Sequence, residues 1–378
     1  MAFTFSGVNI NGSLQAAYIP PPPVPIYYLW TWGSNSYGKL GLGDTTNRSS
    51  PVQVGALNDW STVSATGTTL AAINSSNKIY VWGAGSNGPL GLGSTTNISS
   101  PVQLGALTNW LKISSGNESF QAIKTDGTLW GWGNGRFGKL GLGNTTYYSS
   151  PKQVGALTNW SSIYTGAWNS FAIKTDNTVW CWGYNSDGQL GLNDATDRSS
   201  PVQLGASTDW SSFGVGNSMV LGIKSNGTMW GMGFNGGGQL GLGDTNNRSS
   251  PVQVGALTNW LSIAASRYGS TAIKTDGTLW TWGNNPQGQL GLGDTNNRSS
   301  PVQVGALNDW SKLPKNQGFG NSYAIKTDGT LWSWGRNSYG QLGLGNTTDR
   351  SSPVQVGALT NWFSIDRFSF GAIAIKNS

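Results

Sequence analysis

The side chains that carry out most enzyme chemistry are nearly missing from this chain. Its 378 residues include no histidine, one cysteine (Cys181) and one glutamate (Glu118); the other acidic residues are aspartates. Without imidazole there is no Ser-His-Asp or Cys-His relay and no histidine-based metal site. A lone cysteine excludes an internal disulfide. Cys181 fills a slot held elsewhere by Thr31, Val81, Gly131 and Ser333, which reads as a packed strand position. Aspartates recur in short turns, as at Asp126, Asp276 and Asp328, where turn formation is the simplest role. Two other motifs suggest ligands. Gly-Gln-Leu-Gly-Leu-Gly, as at Gly238 to Gly243, lacks the Gly-Lys-Ser/Thr of a phosphate loop. Asp-Thr-Asn-Asn, as at Asp244 to Asn247, resembles part of a calcium loop, but Ser94 and Asn144 fill the same first slot, so side-chain capping of a turn is the reading. No catalytic residue, metal site or cofactor is expected.

What positions these residues is a repeat. The Trp-Gly step recurs at Trp32, Trp82, Trp132, Trp182, Trp282 and Trp334, with Met232 in one copy; the spacing is 50 residues five times and then 52. A fixed period of this length marks a propeller or solenoid whose units each hold one supersecondary element. With 10% charged residues and 56 glycines, the composition favours short strands and tight turns over helix. One copy divides into four strand-like pieces: Trp110 to Ile113, Phe120 to Thr125, Thr128 to Gly133 and Pro151 to Val154. Asp126-Gly127 between the second and third predicts a two-residue hairpin with positive φ at both positions. In Leu129-Trp130-Gly131-Trp132, alternation puts both tryptophans on one face. Nineteen of the 20 tryptophans recur on this lattice and read as core between blades; Trp168 alone lies off it.

The expected fold is all-β, a seven-bladed β-propeller of four-stranded blades. The repeat region opens at Ile26-Tyr-Tyr-Leu-Trp, a third strand, and stops after Ala372-Ile-Ala-Ile-Lys, a second strand. The two ends must therefore pair to complete the seventh blade, which removes exposed sheet edges. Residues 1–25 form a separate N-terminal arm with a proline-rich spacer, and residues 26–378 the propeller. The net charge of +6 comes from basic residues distributed one or two per copy, such as Arg48, Arg198, Arg248, Arg298 and Arg350. That is a ring rather than a patch, so nucleic acid is not the expected partner. No apolar run reaches membrane-spanning length, and Met1 to Ser6 lacks the features of a cleaved leader.

The run Gly-Gln-Leu-Gly-Leu-Gly after Trp-Gly, with Ala-Ile-Lys-Thr-Asp-Gly-Thr-Leu-Trp upstream, resembles the regulator of chromosome condensation repeat over residues 26–378. The resemblance implies a seven-bladed propeller, here of the phage and bacterial kind. It implies function less closely, since members include an exchange factor for a nuclear GTPase and a secreted β-lactamase inhibitory protein. The family commonly carries a histidine before the second strand. Here those slots hold Ser119, Asn169, Met219, Gly269 and Asn321, which speaks against exchange-factor activity.

Comparison of the copies separates constant from variable surface. The second loop (Asp-Gly-Thr) and the link between copies (Gly-Ala-Leu-Thr-Asn-Trp) hardly change, whereas the first loop and the start of the third do. In a four-stranded meander those two variable loops emerge at the same end of the ring. The aromatic candidates for a partner surface there are Phe137, Tyr147, Tyr148, Tyr164, Trp168, Tyr184 and Phe234, with Arg136 beside them. In the arm, Phe3, Phe5, Val8 and Ile10 alternate like strand residues, and Pro20, Pro21, Pro22, Pro23 and Pro25 make a stiff extended spacer. An arm of this kind gains order by adding to a partner. The expectation is a non-catalytic structural and interaction protein, a propeller head held by its arm on a larger assembly. A phage virion component, in contact with other virion proteins or a host surface component and with no membrane insertion, is foremost. Outside a particle, the chain is expected in the cytoplasm or released without a cleaved signal. A soluble binding or inhibitory propeller is the alternative, and a GTPase regulator a further one.

Overall fold

A computed structural model describes residues 26–65, 67–315 and 320–378; the arm, residues 1–25, lies outside the described residues. Seven four-stranded antiparallel sheets stand in a ring. Blade 1 consists of Trp60–Ala65, Thr69–Asn74, Ile79–Gly83 and Ile98–Gln103. Blades 2 to 6 repeat this pattern over residues 110–153, 160–203, 210–253, 260–303 and 310–355. Blade 7 joins Trp362–Phe368 and Gly371–Asn377 from the C-terminus to Tyr27–Gly33 and Arg48–Gln53 from the N-terminus. Seven residues pair across that junction without a slip, from Tyr27 opposite Asn377 to Gly33 opposite Gly371. First strands of neighbouring blades face one another around a central channel; fourth strands form the outer flank.

The hairpin between second and third strands differs from expectation. Only Gly127, not Asp126, has positive φ. The Gly127 amide donates to Lys124 O and the Lys124 amide to Thr128 O, a type I turn followed by a bulge, as in three-residue hairpin loops. Asn77 and Asn177 take the glycine slot at φ 57° and 63°. Asp126 acts through its side chain: Oδ1 accepts from the Thr128 amide (3.0 Å) and hydroxyl (2.6 Å), and the Trp130 indole donates to that hydroxyl (2.8 Å).

The two tryptophans of the third strand do share a face. Trp130 and Trp132 both meet the Trp110 ring, with centroids 6.1 and 6.0 Å away. The second of each pair also ties blades together. Trp182 Nε1 donates to Lys139 O of the preceding blade (2.9 Å), Trp82 to Lys39 O, Trp132 to Pro89 O, Trp282 to Gln239 O, Trp334 to Gln289 O and Trp32 to Gln341 O. A glycine of Gly-Gln-Leu-Gly-Leu-Gly lies against each ring: a Cβ on Gly141 would come within 2.9 Å of Trp182 Nε1. The motif is therefore a docking notch for the next blade as well as a turn. In the Cys181 slot a side chain donates to a leucine carbonyl, as Thr31 Oγ1 does to Leu40 O (2.8 Å) and Cys181 Sγ to Leu190 O (3.3 Å). Burial pushes the Cys181 thiol well above its ordinary pKa, so it is inert.

The period lengthens to 52 in blade 6, whose first strand is cut to Trp310–Lys312. Pro314, which has no amide hydrogen to donate, follows the break.

Removing Phe370 to Ser378 takes away the strand that joins the two ends, so the truncated chain should melt lower and self-associate through open edges; an unchanged, monomeric melting transition would contradict closure here. The notch is tested by a pair of glycines. A Cβ on Gly155 (φ +59°) would meet nothing within 4 Å, unlike one on Gly141 (φ +75°). Gly155→Ala should cost about 1–2 kcal/mol from backbone strain, and Gly141→Ala a further 1–3 kcal/mol or so from overpacking. Urea unfolding of the two variants measures the difference, and equal losses would mean that Gly141 is a turn residue with no docking role.

Candidate functional site

The first and third loops do emerge together, around a vestibule of about 880 Å³ at one mouth of the channel. Because successive strands are tightly paired, the first loops of blades 2 to 5 shrink to short tips, Asn117-Glu118, Ala167-Trp168, Asn217-Ser218 and Arg267-Tyr268. These tips line the vestibule with Asp187 and Phe234 from third loops. A second cavity of about 590 Å³ opens among the first strands. It is lined by Pro314 and Lys315 of blade 6. Lys315 borders the channel but is walled by protein, and donates across the ring to Thr62 Oγ1 (3.2 Å), Val63 O (3.2 Å) and Ile113 O (3.3 Å). Burial lowers its pKa, against the pull of Asp366. Asp366 accepts from the Ala65 amide (3.1 Å), and burial pushes its carboxyl up to about 6.

Four of the sequence candidates meet at the junction of blades 2 and 3. The Phe137 ring centroid lies 5.6 Å from Trp168, edge to face, and 4.6 Å from Tyr184. The Arg136 guanidinium lies 4.6 Å from the Phe137 centroid and 6.0 Å from that of Trp168. Lys139 Nζ lies 4.6 Å from the Trp168 centroid and donates to the carbonyls of Asn117 and Ala167, stitching the first loops of the two blades. Burial pulls the Lys139 pKa down to about 7, with Glu118 opposing and Arg136 assisting. Phe234 stands apart on the vestibule wall, 37% exposed.

Three candidates are elsewhere. Tyr164 is not a solvent-facing loop residue: it lies within the strand Trp160–Thr165, half-buried, 5.8 Å from the Phe213 ring, and lines the channel cavity. The strand runs further than the loop comparison allowed, so its alternation turns Tyr164 inward. Tyr147 is exposed and Tyr148 opens the outer strand Tyr148–Gln153, where its hydroxyl accepts from Asn144 Nδ2 (3.2 Å). The third loop starts at the mouth and ends on the outer flank, which separates these tyrosines from Trp168.

The sequence comparison missed a second cluster. At the junction of blades 6 and 7, the Tyr339 and Phe370 centroids are 5.1 Å apart and the Arg336 guanidinium is 5.3 Å from Phe370. Tyr339 occupies the Phe137 slot and Phe370 the Trp168 slot, so aligning the copies after removing the two-residue insertion would have found them. Backbone strain marks the same end. Among the described residues, the only positive-φ positions that are neither glycine nor asparagine are Tyr37 (64°), Glu118 (55°), Phe137 (61°) and Phe370 (63°). All four lie in first or third loops. Asn87 takes the Phe137 slot at 65°, so the aromatic is not what the turn asks for.

Remaining carboxylates are engaged locally. Asp44 Oδ1 accepts from the Thr46 amide (2.9 Å) and Asn35 Nδ2 (2.8 Å), while Oδ2 pairs with Arg48 (2.6 Å). The aspartates of the calcium-loop-like segment are thus turn caps. Ser119, Asn169, Met219, Gly269 and Asn321 each open a second strand and are buried, with Met219 also bordering the vestibule. Among the described residues, no group of three or more histidine, cysteine or acidic residues is placed to hold a metal, and no helix is long and apolar enough to cross a membrane.

Comparison with known proteins agrees with this architecture. Human WBSCR16 superposes with a TM-score of 0.82 at 18% identity, covering 93% of this chain and all (100%) of that one. Yeast RCC1 (Prp20), solved in complex with Kap60, gives a TM-score of 0.82 at 17% identity over 93% of this chain and 89% of that one. A second structure of Prp20p from Saccharomyces cerevisiae gives 0.80 at 18% identity over 94% and 92%. In sequence, 39 residues are 49% identical to the ultraviolet-B receptor UVR8 of Arabidopsis thaliana, 10% of this chain and 9% of that protein. Residues 28–315 match the RCC1-like domain, and residues 328–371 the regulator of chromosome condensation (RCC1) repeat. A blade lattice shared along nearly the whole chain, with these two matches, makes the protein a member of the RCC1-like propeller family.

Proposed function

We propose that this is a non-catalytic structural and interaction protein, a propeller head that is held on a larger assembly through residues 1–25 and presents its variable mouth to a partner. The observation that carries the reading is the strained aromatic mouth: Tyr37, Phe137 and Phe370 hold left-handed backbone where asparagine or glycine would be relaxed. Strain of about 1–3 kcal/mol per residue persists at functional positions because a gain elsewhere offsets it. The polarity of the ring adds support. Tyr27 N donates to Asn58 O in a link between blades (2.7 Å), so residues 1–25 join the ring at the end opposite the mouth. One end then serves attachment and the other recognition. The assembly we favour is a phage particle, with other virion proteins or a host surface component as partners, a choice that rests on the expected resemblance of the repeat to phage and bacterial copies.

A second reading is a GTPase regulator. It is favoured by the likeness to Prp20p, a protein that binds Gsp1p and histones. Against it stands the absence of histidine from the chain, although the buried position of those slots weakens that objection. Release of labelled GDP from Gsp1p separates the two: the regulator reading requires acceleration by this protein, the structural one requires none.

Two further outcomes test the favoured reading. A chain lacking residues 1–25 should remain a folded ring but no longer co-purify with the parent particle; full occupancy by the truncated ring would sink the anchoring role. Phe137→Asn should leave the melting temperature unchanged or raised, because asparagine fits the turn, while weakening partner binding at least about tenfold, the equivalent of 1.4 kcal/mol. A large loss of stability with binding intact would make Phe137 a packing residue.

A further inference from the structure

Two groups of like composition, an arginine with two aromatic rings, stand at the mouth, their arginines drawn from different slots: Arg136 from that of Ser338 and Arg336 from that of Asn134. At the junction of blades 2 and 3, Arg136 lies over Phe137, which meets Trp168. At the junction of blades 6 and 7, Arg336 lies over Phe370, which meets Tyr339. Phe137 and Tyr339 hold the same third-loop slot, and Trp168 and Phe370 the same first-loop slot. The junctions are separated by four blades one way and three the other, as nearly opposite as a sevenfold ring allows. None of the other five junctions carries aromatics in both slots: the equivalent pairs are Tyr37 with Thr68, Asn87 with Glu118, Asp187 with Ser218, Gly237 with Tyr268, and Gln287 with Gly320.

We propose that the two clusters are the arms of one bipartite site that takes an extended acidic polypeptide segment laid across the mouth. The proposal rests on the reading of this end as the binding face and names the partner's chemistry. The charge argument comes from the contrast with the outer flank. There Arg48, Arg198, Arg248 and Arg298 are each paired with an aspartate at 2.6 Å. Among the described residues, Arg136 and Arg336 have no carboxylate at ion-pair distance and lie on rings instead. A guanidinium stacked on an aromatic ring keeps its N–H edge free for bidentate bonding to a carboxylate. One of the guanidinium's donors at Arg336 is used locally, Nε to Ser338 Oγ (3.0 Å).

The vestibule's own carboxylates do not compete for the arms. Glu118 accepts from Asn87 Nδ2 (2.9 Å) and Asn134 Nδ2 (3.1 Å), and Asp187 from Asn247 Nδ2 (3.3 Å). They do decide between partner classes. A nucleic acid crossing the mouth would carry a phosphate past every step of a wall on which Glu118 and Asp187 interrupt the basic side chains, Arg267 among them, where continuous basic contact is what binding requires. A polypeptide can place acidic residues at the two arms and neutral ones between them. The rings supply the apolar contact that side chains use and a phosphate backbone does not.

The test uses the full chain and fluorescein-labelled peptides in which two Glu-Leu-Glu blocks are joined by Gly-Ser linkers of about 4 to about 30 residues, whose reach grows as roughly 5–6 Å times the square root of length. Two arms on one face make affinity, read by anisotropy, pass through a maximum at one linker length and exceed that of a single block at least about tenfold. Arg136→Ala and Arg336→Ala should each abolish that maximum, with the melting curve unchanged. Affinity that ignores linker length, persists in both variants, or is no greater than that of Gln-Leu-Gln peptides would overturn the proposal. So would tighter binding of a single-stranded oligonucleotide of equal charge, lost in the same two variants. If Phe137→Asn still releases the natural partner while the peptides fail, the acidic-segment proposal falls and the binding face stands.

Discussion

The ring depends on a contact made at six of its seven blade junctions: an indole N–H reaching a carbonyl of the preceding blade while the ring lies against a glycine of that blade. Trp182 with Lys139 O and Gly141 is one instance. Its physical content is twofold. A buried tryptophan removes about 150–250 Å² from water, but its N–H must find an acceptor in the interior. The neighbouring blade supplies that acceptor only if its backbone comes close, and glycine at positive φ permits the approach. One contact thus fixes blade spacing, uses the period of the sequence and explains why Trp-Gly and Gly-Gln-Leu-Gly-Leu-Gly vary so little. The seventh junction keeps the geometry with Met232, a flexible side chain that fills the notch without a hydrogen bond.

A lattice held this way leaves the loop tips free. Second loops and links stay uniform because they carry their own hydrogen-bond constraints, such as Asp126 with Thr128 and Trp130. The first-loop tips and the Phe137 slot lie outside the third loop's own network around Asn35, Asp44 and Arg48, so their residues can differ from blade to blade without unsettling the ring. Drift alone would fill such positions with residues that suit the local backbone. The opposite is seen at Tyr37, Phe137 and Phe370, where bulky rings occupy left-handed positions that Asn87, in the slot of the first two, and Gly320, in that of the third, show to be available to a better-suited residue. The mouth is where the chain gives up local comfort.

Most of the fold was legible because its determinants repeat. Trp-Gly at 50-residue intervals implied the blade, and the split of blade 7 between Ile26 to Gly33 and the final strand followed from where the pattern starts and stops. The hairpin type was misread because Asp-Gly is compatible with two turns, and only the extra residue Thr125 distinguishes the bulged one. The candidate site was legible in part. Trp168 stood out because it lies off the lattice, and Phe137, Arg136 and Tyr184 gather around it. Tyr164 misled because a loop boundary cannot be placed from variability when a channel-lining strand varies too. Tyr147 and Tyr148 misled because a loop that begins at the mouth can end on the flank. Tyr339 and Phe370 were hidden by the insertion before them, and no spacing argument reveals that Phe137 and Phe370 have positive φ.

If the variable mouth, not the uniform end, is the face that recognises a partner, its aromatic residues should be covered when the partner binds. Hydroxyl-radical footprinting of the protein free and in its native assembly, read by mass spectrometry, tests this residue by residue. Assembly should protect Phe137, Trp168, Tyr339 and Phe370 together, while Leu107, Leu157 and Leu257, exposed in the links at the other end, keep the reactivity of a surface not used for recognition, apart from any shadow cast by residues 1–25. Protection confined to those leucines, with the four aromatic residues as reactive as in the free ring, would contradict recognition by the mouth.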